Sequence, residues 1–182
     1  MIKNTLMVDI ETTGQKTGCK VLSLGCFGFD KNGNQAEFYK RFAIEPQTEA
    51  GLTDDESTIQ WWNHQDPAAR AEAFGGTTMP SAGIGEFKHW FYNNFATGKF
   101  DNFNVWCCGL DFDFPILQEF FRRFGFALPW KFWTQNDYRT IKNMFPAIKA
   151  YEGNIAKHTA LEDAKAQMRG LRCFYDKFYG SF

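Results

Sequence analysis

Asp9-Ile10-Glu11-Thr12-Thr13-Gly14 closes an apolar run with two acids two residues apart. On a β-strand that spacing puts both carboxylates on one face, with Met7, while Leu6, Val8 and Ile10 point to the other. A core is not built this way. Two carboxylates roughly 5 Å apart repel by about 3 kcal/mol at an effective dielectric near 20, a cost that a divalent cation reverses. The strand therefore asks for a metal, and the Thr-Thr-Gly stretch turns the chain immediately after it.

The rest of the chain limits what can hold such a site. Its 182 residues fit one domain spanning 1–182, and 44% hydrophobic content with 21 Phe allows a sizeable core plus spare rings for an exposed stacking surface. The five cysteines include no C-x-x-C pair, which fits neither a disulfide framework nor a zinc knuckle and points to a reducing cytoplasm. The N-terminal residues run straight into a strand, without the pattern of a signal peptide, and no apolar run reaches membrane-spanning length, so no membrane partner is expected. Formal net charge is −1, unevenly spread: residues 1–114 carry 9 basic and 15 acidic side chains, residues 115–182 carry 11 and 6. A basic rim beside an acidic, cation-filled pocket suits a phosphodiester enzyme better than a nucleic-acid coat.

Alternation marks strands at Leu6 to Ile10, Val21 to Asp30 and Gln35 to Ala43, the last two joined by a turn through Asp30-Lys31-Asn32-Gly33-Asn34. Ser57-Thr58-Ile59-Gln60 has capping-box spacing for a helix carrying Trp61 and Trp62, and Asp66-Pro67 is an N-cap and N1 pair for the next. An amphipathic helix is expected over 82–95 and a strand over Asn104 to Cys108, broken by Gly109. A helix then runs to Phe124 with Pro115 in its first turn. The architecture is a mixed α/β sheet with helices on both faces.

Two further segments carry chemistry. In His158-Thr159-Ala160-Leu161-Glu162-Asp163, Thr159 and Glu162 form a capping box, leaving His158 on the loop before a helix and Asp163 in its first turn, where the dipole favours an ionised carboxylate. In Gly109-Leu110-Asp111-Phe112-Asp113-Phe114-Pro115, acids stand where a strand ends and a helix begins. Either Asp111 or Asp113 serves as a plain N-cap, and the local pattern does not say which faces the pocket. His64 and His89 sit on expected helices without acidic motifs and read as structural.

These motifs, in this order, resemble the DEDDh branch of the 3'-to-5' exonucleases. Ser57 to Trp62, Trp106 to Leu117 and Lys131 to Thr140 look more closely like the phage exonuclease A group within it. The resemblance implies a ribonuclease H-like fold with a mixed five-stranded sheet flanked by helices. It aligns the family's Phe-Asp pair with Phe112-Asp113, which selects Asp113 over Asp111. The chain departs from the phage pattern in its shorter length, in Asp111 where a small polar residue is usual, and in Asn136 where a basic residue commonly precedes the Asp.

The implied chemistry is two-metal hydrolysis, with Asp9, Glu11, Asp113 and Asp163 as ligands of two Mg²⁺ or Mn²⁺ ions and His158 as the base that takes a proton from the attacking water. The turn Thr12-Thr13-Gly14 holds the terminal nucleotide in related enzymes, so its backbone amides are candidates for reading the 3' end. Of the adjacent tryptophans one is core and one stacks on a base, with Trp62 favoured. Arg139 either clamps a phosphate or pairs with Asp137. The expected partner is a single-stranded nucleic acid with a free 3' end, DNA in the first reading. RNA ends or oligoribonucleotides are the alternative, and a non-catalytic binding module is a weaker one.

Overall fold

The computed structural model describes residues 4–30, 32–95, 103–153 and 159–180. The doubly acidic strand, β1 (Asn4–Thr12), is the centre of a five-stranded sheet. It pairs antiparallel with β2 (Val21–Phe29), which pairs antiparallel with β3 (Gln35–Arg41). On the other side β1 runs parallel to β4 (Phe103–Cys107), and β4 parallel to β5 (Gln135–Asp137), giving the order β3-β2-β1-β4-β5. The β2–β3 turn forms as its composition dictates: the Asp30 carboxylate accepts from the Asn32 and Asn34 amides at 2.8 Å each, and Gly33 takes a φ of 85°.

Seven α-helices follow among the described residues: α1 (Glu45–Glu49), α2 (Glu56–Asn63), α3 (Pro67–Phe74), α4 (Pro80–Phe95), α5 (Leu110–Arg123), α6 (Tyr138–Met144) and α7 (Ala160–Tyr179). The two faces of β1 divide as its alternation requires. Leu6, Val8 and Ile10 join a core with Phe87 and Phe91 of α4 and Phe120 and Phe121 of α5. Met7 joins a second core with Trp106, Tyr138 and, from α7, Ala164, Met168 and Leu171. Asp9 and Glu11 share that second face, so α7 lies over the acids. No helix among the described residues is long and apolar enough to cross a membrane.

Three helix starts differ from the sequence expectation. The cap of α2 is Asp55, whose carboxylate accepts from Ser57 N at 2.9 Å and Thr58 N at 3.3 Å. An ionised carboxylate at the positive end of the helix outcompetes the Ser57 hydroxyl, which itself donates to Asp55. Helix α5 starts at Leu110 on Gly109, whose φ of 136° only glycine adopts readily, so Pro115 falls inside the helix rather than in its first turn. Thr159 is the N-cap residue of α7 but makes no side-chain cap, and Glu162 pairs with Lys165 at 3.1 Å, so the capping box does not form.

Candidate active site

The acid pair and the start of α7 meet because β2 leaves room for them. Across the β1–β2 ladder Asp9 stands opposite Gly25 and Glu11 opposite Ser23, two small residues on the face that α7 covers. A Cβ on Gly25 would overlap the Ala160 carbonyl carbon and the Leu161 nitrogen, so the first turn of α7 rests directly on β2. Asp163 N donates to Thr159 O at 3.0 Å, fixing Asp163 in that first turn. Asp9, Glu11 and Asp163 thereby bring one carboxylate oxygen each to within 4.8 Å of one another.

Asp113 approaches this group from α5. It is 3% exposed, and its carboxylate accepts from the Cys107 thiol and the Ile10 backbone amide. Asp111 is exposed and lines the neighbouring cavity instead. Neither acid caps α5, contrary to the sequence expectation: the cap is Gly109, without a side-chain hydrogen bond. Asp137 ties this corner together, accepting from Gly109 N at 3.1 Å while capping α6 through Arg139 N and Thr140 N.

The site is electrostatically loaded. Burial first, then repulsion from Asp113, Glu11 and Asp163, holds the Asp9 carboxyl well above the usual carboxylate range. Burial, with the charges of Asp163 and Asp113, pushes Glu11 up to about 8. Asp113 rises to about 7 through burial, offset in part by its hydrogen bonds and by the Arg139 guanidinium. Crowded hard oxygens without a counter-charge suit a hard divalent cation.

Beside the acids lies a cavity of about 700 Å³, whose lining includes Glu11, Thr12, Gly14, Trp61, Asp111 and Arg139. Its floor is stapled to the turn after β1: Asp55 N donates to Thr13 O at 2.8 Å, and Trp62 Nε1 to Thr12 O at 2.9 Å. Both tryptophans line the cavity, but the favoured Trp62 is the buried one of the pair. Trp62 is 1% exposed and spends its indole N–H on the turn, whereas Trp61, 43% exposed, presents the open ring. The turn is less available to a ligand than expected, since Thr13 N donates to Lys20 O and the Thr12 hydroxyl to Gly14 O. Arg139 donates to Cys108 O at 2.6 Å, and its link to Asp137 runs through its backbone amide rather than an ion pair. His158 lies outside the described residues. His64 and His89 bond along their own helices, to Gln60 O and Asn93 Nδ2.

One group at the site went unread in the sequence. Gln167 of α7 donates from Nε2 to Asp9 Oδ1 at 2.7 Å. Its position four residues after Asp163, on the same helix face, was the available signal.

Known proteins are similar to this chain in sequence and in fold. The chain is 30% identical over 159 residues to an exodeoxyribonuclease of Enterobacteria phage T4, covering 74% of this chain and 68% of that one. Escherichia coli exonuclease I, solved with a dA13 oligonucleotide, superposes with a TM-score of 0.64 at 12% identity over 96% of this chain. Cell-death related nuclease 4 gives 0.63 at 13% identity over 98%. This chain spans 40% of the exonuclease I chain and 66% of the other. These likenesses bear out the ribonuclease H-like fold and the resemblance to 3'-to-5' exonucleases expected from the motifs. A model of the 3'-5' exoribonuclease Rv2179c-like domain family matches residues 4–174, nearly the whole of the chain, which belongs to that family.

Proposed function

We propose that the chain is a metal-dependent 3'-to-5' exonuclease that releases 5'-mononucleotides from single-stranded DNA in the cytoplasm. The observation that carries this reading is the convergence of Asp9, Glu11 and Asp163 within 4.8 Å beside a cavity of nucleotide size walled by an exposed tryptophan. Asp9, Glu11, Asp113 and Asp163 would hold two Mg²⁺ or Mn²⁺ ions. When bound, such ions neutralise the scissile phosphate, acidify the attacking water and stabilise the leaving 3' oxygen. Trp61 stacks on the terminal base, and the Thr12-Thr13-Gly14 turn, braced from below by Trp62, bounds the space for its sugar. The guanidinium of Arg139, at the cavity wall, offers N–H donors to a phosphate oxygen. His158, which immediately precedes the α7 cap, takes the proton of the attacking water.

Two observations favour RNA as a second reading. The family is described as exoribonuclease, and Asp111, which has no hydrogen-bond or ion-pair partner among the described residues, lines the cavity as an acceptor that a ribose 2'-hydroxyl would satisfy. DNA and RNA strands of one sequence, 5'-labelled and incubated with Mn²⁺, separate the two. Faster shortening of DNA supports the first reading. Faster shortening of RNA moves the assignment to the second.

A further inference from the structure

Helix α7 brings two polar side chains to the acid strand, and only one is a carboxylate. Gln167, one helical turn beyond Asp163, reaches Asp9 Oδ1 at 2.7 Å, while its own Oε1 is buried and has no partner among the described residues. The hydrogen bond to Asp9 is therefore the amide's polar engagement in the structure. Its chemistry is selective. A Lys or Arg at this place would neutralise Asp9 and compete with a cation for it, whereas a neutral amide donates to one oxygen and leaves the charge in place. It also leaves Oδ2 unclaimed by Gln167. We infer that Gln167 is a positioning residue, whose amide orients the Asp9 carboxylate so that its second oxygen faces Glu11 and Asp163 as a ready metal ligand. This rests on the reading of Asp9, Glu11 and Asp163 as a metal site.

Partners that orient ligands in this way typically sustain about 10- to 100-fold in metal affinity or activity. Binding of Mn²⁺ by the metal-free full-length chain can be followed by the electron paramagnetic resonance signal of free Mn²⁺. The set comprises the native protein, Gln167→Met, Gln167→Leu and, as a control on the site itself, Asp9→Asn. Both Gln167 variants remove the amide and its unpartnered oxygen while keeping an apolar side chain of similar reach, so the pair covers the case in which one folds poorly. The expected result is Mn²⁺ affinity about 10-fold weaker in the Gln167 variants. Their thermal midpoint in EDTA should be unchanged or higher, and the KM for an oligonucleotide at saturating Mn²⁺ should be near native. Native Mn²⁺ affinity in the Gln167 variants, with Asp9→Asn impaired, overturns the inference and leaves the metal site standing. Native affinity in Asp9→Asn as well overturns both. A lowered thermal midpoint in EDTA with native Mn²⁺ affinity marks Gln167 as packing alone and also overturns the inference.

Discussion

Gly25 stands directly opposite Asp9 across the β1–β2 ladder, and the first turn of α7 fills the space a side chain there would occupy. The absence of a side chain on β2 thus sets the distance between the acids of β1 and Asp163. Gly25→Ala is expected to lift the start of α7, costing about 1–3 kcal/mol in urea denaturation. Turnover should fall by about 10²-fold, because displacements near 1 Å are enough to disable a catalytic arrangement. A variant with reduced stability but native turnover would show that α7 tolerates displacement.

The acids also predict an unusual pH dependence. Asp9, Glu11 and Asp113 all have raised folded-state values, Glu11 to about 8 and Asp113 to about 7, against ordinary values of 3.8 for Asp and 4.5 for Glu. A group raised on folding binds its proton more tightly in the folded state. Its contribution is therefore full below the unfolded value and is lost as pH rises through the folded one. In EDTA the thermal midpoint should fall between about pH 5 and 8. Saturating Mn²⁺ should flatten that decline and raise the midpoint at pH 8, since a ligand that binds only the folded state stabilises it. Scanning calorimetry at pH 5, 6.5 and 8, with and without Mn²⁺, checks both statements.

Asp111 and Asp113 test whether the family pattern is laid on this chain in the right register. Asp113→Asn removes a buried charge while keeping a hydrogen-bond acceptor toward Cys107 and Ile10. It should raise stability in EDTA at pH 8 and nearly abolish turnover. Asp111→Asn, at an exposed position, should leave stability and most DNA hydrolysis intact. Single-turnover assays showing the reverse would move the site residue from 113 to 111.

The two tryptophans should separate binding from folding. Trp61→Ala is expected to raise the KM for a single-stranded oligonucleotide, consistent with about 1–3 kcal/mol for a base–aromatic stack, with little change in thermal midpoint. Trp62→Ala should instead cost about 3–5 kcal/mol of stability, because it empties a buried site and releases the Thr12 carbonyl. Steady-state kinetics beside chemical denaturation distinguishes them.

What was legible in the sequence was what local periodicity encodes. The three leading strands, the two faces of β1 and the breaker at Gly109 follow from alternation and turn residues within a few positions, whereas α7 starts where expected without the capping box read there. Which tryptophan is buried was not legible, because adjacent helical side chains differ only in what the rest of the fold sets against them. Here that is the Thr12 carbonyl, fifty residues upstream, which claimed the Trp62 indole. Strand β5, three residues long, has no period to read, and only the family resemblance supplied a fifth strand. Gly25 and Gln167 act solely through contacts between distant segments. A glycine in a strand carries no mark of that role, and the spacing of Gln167 four residues after Asp163 puts it on the same helix face without naming Asp9 as its partner.

The most direct test of the central claim is a time course on a 5'-labelled single-stranded DNA, run beside the same strand with a blocked 3' end and a circular single strand, in Mn²⁺ and in EDTA. A metal site that acts on a free 3' end predicts a ladder of strands shortened one nucleotide at a time in Mn²⁺, with the blocked and circular strands intact and no products in EDTA. Hydrolysis in EDTA, or nicking of the circle in Mn²⁺, would contradict it.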